Sequence, residues 1–212
     1  MARYTGSKTK LSKRVGKNLF LKGARSFSAK DDYARRPQKP GVHGVSKRPA
    51  KLSEYGKQLK EKQTLRYTYG LMEKQLANIF KKAFKSKGDT GVTAMTMLER
   101  RLDNVVYKAG LSNSLAQARQ LVAHGHFQVN DHKCDIPSAM VEQGDIIAVR
   151  SGKEAKSAFW TNFNLQVPLT VPAWLDASKK NTVKVINLPL ADDLPASINI
   201  ASIVEYYSRK VA

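Results

Sequence analysis

The chain has 212 residues, 37 Lys and Arg against 17 Asp and Glu for a formal net charge of +20, and 42% hydrophobic residues. That apolar fraction can build a core, which excludes a wholly disordered chain, and no apolar run approaches the roughly 18 residues of a membrane-spanning helix. A lone Cys134 cannot form an internal disulfide and no apolar leader is visible, so an intracellular setting is expected, while the charge predicts association with RNA, DNA or anionic lipid.

The excess charge is lopsided. Residues 1–66 hold 19 Lys and Arg against 4 Asp and Glu, whereas residues 67–212 hold 18 against 13. The first fifty residues have few large apolar side chains, interrupted by Gly6, Gly16, Gly23, Gly41, Gly44, Pro37, Pro40 and Pro49. Such a segment buries too little surface to offset its ordering entropy, so residues 1–51 are expected to form a basic extended arm that takes its shape on a negatively charged partner. Leu11, Val15 and Leu19 recur at helical spacing, as in a transit peptide or a membrane-surface helix. The Gly/Pro-punctuated basic character, however, persists to Pro49 and merges into the body.

From Leu52 a helical period appears through Tyr55, Leu59 and Leu65, with Ser53 placed to cap it, and Gly70 interrupts. Leu71, Met72, Leu76, Ile79, Phe80, Ala83 and Phe84 form a stripe opposite Lys74, Lys81, Lys82 and Lys85, ended by Gly88. A third helix is expected from about Val92 to Ala109, with Leu98, Leu102, Val105, Val106 and Ala109 inward and Gly110 past its end. Ser114 to Gln117 has the capping-box pattern of a short helix reaching about His124. Short strands follow at Phe127–Val129, 134–136 and Ile146–Val149, separated by turns at Asn130-Asp131, Pro137-Ser138 and Gly144-Asp145. Residues 198–207 suggest a short helix or turn packing back on the body. The pattern is α+β.

Several ordered motifs resemble one family. Leu98 to Tyr107 (LERRLDNVVY), Ala118-Arg119-Gln120-Leu121-Val122 followed by His124-Gly125-His126, then Val129-Asn130 and Pro137-Ser138, look like the RNA-binding module of ribosomal protein number four of the small subunit. Tyr55-Gly56, Gln58-Leu59, Glu61-Lys62-Gln63, Tyr69-Gly70-Leu71, Glu73-Lys74-Gln75, Pro172-Ala173-Trp174-Leu175 and Ile203 to Arg209 resemble its other parts. The resemblance implies a helical domain (52–91 plus 172–212) with an inserted small α+β RNA-binding module (92–171, two helices plus a short antiparallel sheet), preceded by the arm. It implies a structural protein rather than an enzyme. Its partners would be small-subunit (16S-type) rRNA at a multi-helix junction, protein number five, and mRNA near the entry channel. Roles in early assembly and translational accuracy are implied, on a cytoplasmic or organellar ribosome, with no membrane and no homo-oligomer of its own.

The rRNA-binding residues expected are Arg3, Lys8, Lys10, Lys13, Arg14, Lys17, Lys22, Arg25, Arg35, Arg36, Lys47 and Arg48 in the arm, Arg66 and Tyr69 in the helical domain, and Arg100, Arg101, Arg119 and His124 in the module. Arg forks suit phosphate bidentately; the competing reading is a solvated face with Glu99 and Asp103 pairing locally. Tyr4, Phe20, Phe27, Tyr67 and Tyr69 interleave with cations and suit base stacking or anchoring to the body. Many relatives bear a zinc-binding cysteine cluster in the arm; this chain has none, so neither zinc nor another cofactor is expected. His124, His126, His132 and Cys134 lack a recognised ligand spacing and read as polar loop groups and a small strand residue. The alternative function is an RNA-modifying enzyme with an appended module, because Arg101-Leu102-Asp103 resembles the catalytic motif of pseudouridine synthases. Here that motif lies in a helical stripe, and no chain remains for a catalytic domain.

Overall fold

The structure, a computed structural model, describes residues 4–45, 51–152, 158–168, 170–179, 181–190, 193, 195 and 198–211. In chain order the helices are α1 (Lys8–Val15), α2 (Asp32–Arg35), α3 (Glu54–Thr68), α4 (Glu73–Lys85), α5 (Thr90–Glu99), α6 (Leu102–Lys108), α7 (Leu115–Ala123), α8 (Ala158–Thr161) and α9 (Ile200–Val211). The strands are β1 (Phe127–Val129), β2 (His132–Lys133), β3 (Ile146–Val149), β4 (Leu175–Asp176) and β5 (Thr182–Val185). The chain divides into two compact units, Met1–Met95 with Pro195–Ala212 and Thr96–Leu194.

In the first unit, Ser53 caps α3 by accepting from the Gly56 amide at 3.2 Å, and Leu65 faces inward while Leu52 and Tyr55 stay exposed. Leu76, Ile79, Phe80 and Ala83 recur at three- and four-residue spacing on α4 and are all buried. α9 packs on α3 and α4, stacking Tyr207 on Phe80 with centroids 4.6 Å apart. Gly91 permits its close approach, since a Cβ there would lie 2.6 Å from Ile200 Cγ2. Lys62 is buried with its ammonium 2.8 Å from Glu73, which also accepts from the Tyr207 hydroxyl at 3.1 Å. Burial works to raise the Glu73 carboxyl, yet Lys62, Tyr207 and Arg66 outweigh it and hold it below the ordinary range, while burial beside that carboxylate pushes the Tyr207 hydroxyl far up.

The described part of the arm is more than extended chain. Leu11 and Val15 sit one turn apart on α1 and are buried, and Gly16 closes that helix at φ 74° with its amide on the Ser12 carbonyl. A 3-10 turn spans Gly23–Phe27, and Asp31 caps α2 through the Ala34 amide.

The expected long helix from Val92 to Ala109 is two, α5 and α6. The backbone at Arg101 is extended (φ −64°, ψ 135°) and bridges to Met140, while Leu102 N donates to Ala139 O and Val141 N to Arg100 O. Periodicity persists across this break, which is why the sequence reads as continuous: Leu98, Leu102, Val105 and Val106 are all fully buried. The five strands form one antiparallel sheet in the order β2-β1-β3-β5-β4. β1 and β2 pair Val129 with His132 across a two-residue turn in which Asn130 and Asp131 both have positive φ, 48° and 64°, the geometry that matches strand twist.

The sheet corrects two sequence expectations. The second strand lies at His132–Lys133 rather than 134–136, although Cys134 N still reaches Phe127 O. Residues 172–194 lie in the second unit, not with the helical segment, because Trp174, Leu175, Val183 and Val185 are buried in the core that holds Phe127 and Ile147. Trp160 on α8 joins the same core, its indole N–H donating to His126 Nδ1 at 3.0 Å.

Candidate nucleic-acid interface

The basic arm assembles around two acids. Asp31 is buried and accepts from Asn18 Nδ2 at 2.9 Å as well as from the Ala34 amide. Asp32 accepts from Lys22 Nζ at 2.7 Å, Arg25 Nη2 at 3.1 Å and Thr9 Oγ1 at 3.3 Å. The Lys22 hydrogen bond above all, then the charges of Lys22 and Arg25, hold the Asp32 carboxyl down to about 2. One carboxylate thereby joins α1, the 3-10 turn and α2; that Asp31 and Asp32 are the only acids in the first fifty residues was the available signal.

Beside this knot opens a cleft of about 690 Å3 whose walls carry Lys10, Lys13, Lys22, Arg35, Arg36 and Lys39, with Asp32 its one carboxylate. Lys22 is committed to Asp32. Among the described residues, Lys10, Lys13, Arg35, Arg36 and Lys39 have no acidic side chain within ion-pair distance. Five such like charges around one concavity repel one another and raise the local concentration of any polyanion. Lys39 is an addition to the sequence-based set; its spacing from Arg35-Arg36 between Pro37 and Pro40 was the available signal.

The remaining arm residues are dispersed. Lys8 is half-buried, Arg14 is exposed, and Lys17 pairs with Glu61 at 3.4 Å. Arg25 is exposed beside its Asp32 partner. Arg3, Lys47 and Arg48 lie outside the described residues. Arg66 is half-buried, 3.4 Å from Glu73 and over the Tyr67 ring. Tyr69 is only 5% exposed and presents no face for stacking, so the structure makes it a core residue rather than an RNA contact.

In the second unit the arginine assignments change most. Arg101 donates Nε and Nη2 to the two oxygens of Asp103 at 3.0 and 2.7 Å, and Arg119 Nη1 reaches the same carboxylate at 3.2 Å. All three are buried, so Arg101 and Arg119 direct their forks inward, and Asp103 orients basic neighbours, as its local charge setting suggested. Glu99 is likewise buried, pairing with Lys108 at 2.6 Å and accepting from Asn104 Nδ2 at 2.6 Å. Arg100 is half-buried, its Nε on the Val141 carbonyl at 2.8 Å. His124 is exposed at the end of α7. Two cations that sequence reasoning passed over flank it: Arg150 Nη1 donates to Gly125 O at 3.3 Å, and the Lys133 side chain lies across Gly125. Among the described residues no group of three or more His, Cys, Asp or Glu is arranged to hold a metal.

A cation-walled cleft in one unit and a small helix-and-sheet module in the other define a protein that binds polyanions. Residues 3–99 match the ribosomal protein S4/S9 N-terminal domain and residues 100–147 the S4 domain. The chain is 45% identical over 210 residues to small ribosomal subunit protein uS4 of Syntrophomonas wolfei, covering 99% of this chain and all of that one. It is 46% identical over 210 residues to uS4A of Clostridium novyi and 44% identical over 211 residues to uS4 of Thermodesulfovibrio yellowstonii, with the same coverage. The chain belongs to the small-subunit ribosomal protein S4 family, whose members here are structural proteins and not enzymes. Burial of Asp103 between two arginines agrees with that and leaves the RNA-modifying alternative without its acid. The described arm has no thiol and its Asp31 and Asp32 are engaged within it, so these residues do not fit the zinc implied for cysteine-bearing relatives.

Proposed function

We propose that this chain is a structural constituent of the small ribosomal subunit that binds small-subunit rRNA at a multi-helix junction through shape and phosphate contact, early in assembly. The observation that carries this reading is the cleft whose Lys10, Lys13, Arg35, Arg36 and Lys39 have no acidic partner among the described residues. The exposed His124, with Lys133 and Arg150 nearby, and Arg100 add contacts from the module; Arg101 and Arg119 support the fold instead. A-form RNA presents phosphates and 2′-hydroxyls more accessibly than base edges, so contact with the duplex is largely sequence-blind. Family likeness supports the further roles: residence on a cytoplasmic ribosome, contact with protein number five near the mRNA entry channel, and maintenance of decoding accuracy.

Filter binding of the full chain to small-subunit rRNA tests the reading. If about 6–10 phosphates are neutralised, affinity falls about a thousandfold or more between roughly 50 and 200 mM salt. A flat salt response, or equal competition by duplex DNA, would contradict it.

A further inference from the structure

Phe20 and Phe27 stack with centroids 4.7 Å apart and planes 17° from parallel, yet they are 44% and 43% exposed. A pair formed only to anchor the arm would be largely buried; this one leaves more than two-fifths of each residue in water. Its geometry is also actively held. Phe20 has φ 50°, a conformation rare for a bulky residue, and its amide is fixed by Asn18 Oδ1 at 3.0 Å. Asn18 in turn donates to the buried Asp31. Between the two rings the same loop supplies Lys22 to the wall of the cation cleft and Arg25 to Asp32 at its edge. An exposed aromatic pair on the loop that also supplies Lys22 to a phosphate-attracting concavity has the composition of a site for single-stranded nucleic acid, where cations follow the backbone and rings receive bases.

We propose that the Phe20–Phe27 pair is a nucleobase site, on which an unpaired base of an RNA strand stacks while the strand's phosphates run toward the cleft that Lys22 helps to wall. The inference rests on the rRNA reading above and adds a base contact that duplex recognition does not require. Stacking on a π-face is tolerant of base identity and carries little charge, so it is separable from phosphate binding by salt.

The test uses the full chain, with a short single-stranded oligoadenylate and the same backbone carrying abasic sugars. The unmodified protein should bind oligoadenylate about five- to a hundredfold more tightly than the abasic strand. A Phe20→Leu/Phe27→Leu variant, which keeps apolar bulk but loses both aromatic faces, should lose that preference while its salt slope and melting temperature stay unchanged. Equal binding of the two strands by the unmodified protein would overturn the inference while leaving the rRNA reading intact. Equal preference in the variant would also overturn it, placing the stack elsewhere. Failure to bind either strand together with failure on small-subunit rRNA would instead remove the rRNA reading itself.

Discussion

Arg101 and Asp103 form a two-point ion pair, 3.0 and 2.7 Å, in which the carboxylate is 1% exposed and the arginine 4%. The pair sits where the chain breaks between α5 and α6, and Asp103 also receives Arg119 from α7. It couples the bridge at Arg101–Met140 to the helix pair that forms the module's core.

Removing that carboxylate strands two guanidinium groups in a dry environment. Asp103→Ala is expected to destabilise the protein by about 3–5 kcal/mol, the usual consequence of breaking a buried charge pair. Chemical denaturation of the full chain checks this. A loss below about 1 kcal/mol would mean that the arginines turn out to solvent and that their assignment as fold-supporting residues is wrong.

Asp32 makes arm order depend on pH. Its carboxyl titrates at about 2 when folded, against 3.8 ordinarily, because Lys22 and Arg25 favour its anion. A depressed acid contributes stability fully present above its unfolded pKa and lost as pH falls toward the folded one. Arm amides around Lys22 and Ala34 should therefore keep their NMR positions down to about pH 4 and shift progressively between about pH 4 and 2. In Asp32→Asn, that transition should vanish and the contacts to Lys22 and Arg25 should already be weakened at neutral pH.

The turn at Asn130-Asp131 offers a gain. Asp131 holds φ 64°, where a Cβ is penalised and glycine is not. Asp131→Gly is expected to raise stability by up to about 1 kcal/mol, offset in part by losing the 3.1 Å hydrogen bond from Gln128. Thermal melting reads the sign; a clear destabilisation would indicate that the side-chain bond outweighs the backbone strain.

These residues also show what the sequence disclosed and what it could not. α4 and β3 were readable because Leu76, Ile79, Phe80 and Ala83 repeat at helical spacing, and because Ile146–Val149 is apolar between turn signals. The break at Arg100-Arg101 was not, since it depends on backbone pairing with residues forty positions later and leaves the apolar period undisturbed. β5 was missed for a related reason: Val183 and Val185 alternate over too few residues to declare a strand without β3 beside them. Among the candidate site residues, charge alone could not separate Arg35 and Arg36, facing an open cleft, from Arg101 and Arg119, which share a buried acid. Asp103 marks that difference: its pairing with a near neighbour is legible in the local charge setting, but its bond to Arg119, 16 residues on, is visible only in three dimensions.

If the arm's cleft engages RNA phosphates, its cations set the salt dependence of binding. The deciding quantity is the slope of log affinity for small-subunit rRNA against log salt in a variant with Lys10, Lys13, Arg35, Arg36 and Lys39 replaced by Gln. Each lost phosphate contact should reduce the slope by about 1, so a drop of about 3–5 is predicted, with weaker binding at low salt and an unchanged melt. A variant whose slope and affinity match those of the unmodified chain would contradict the account.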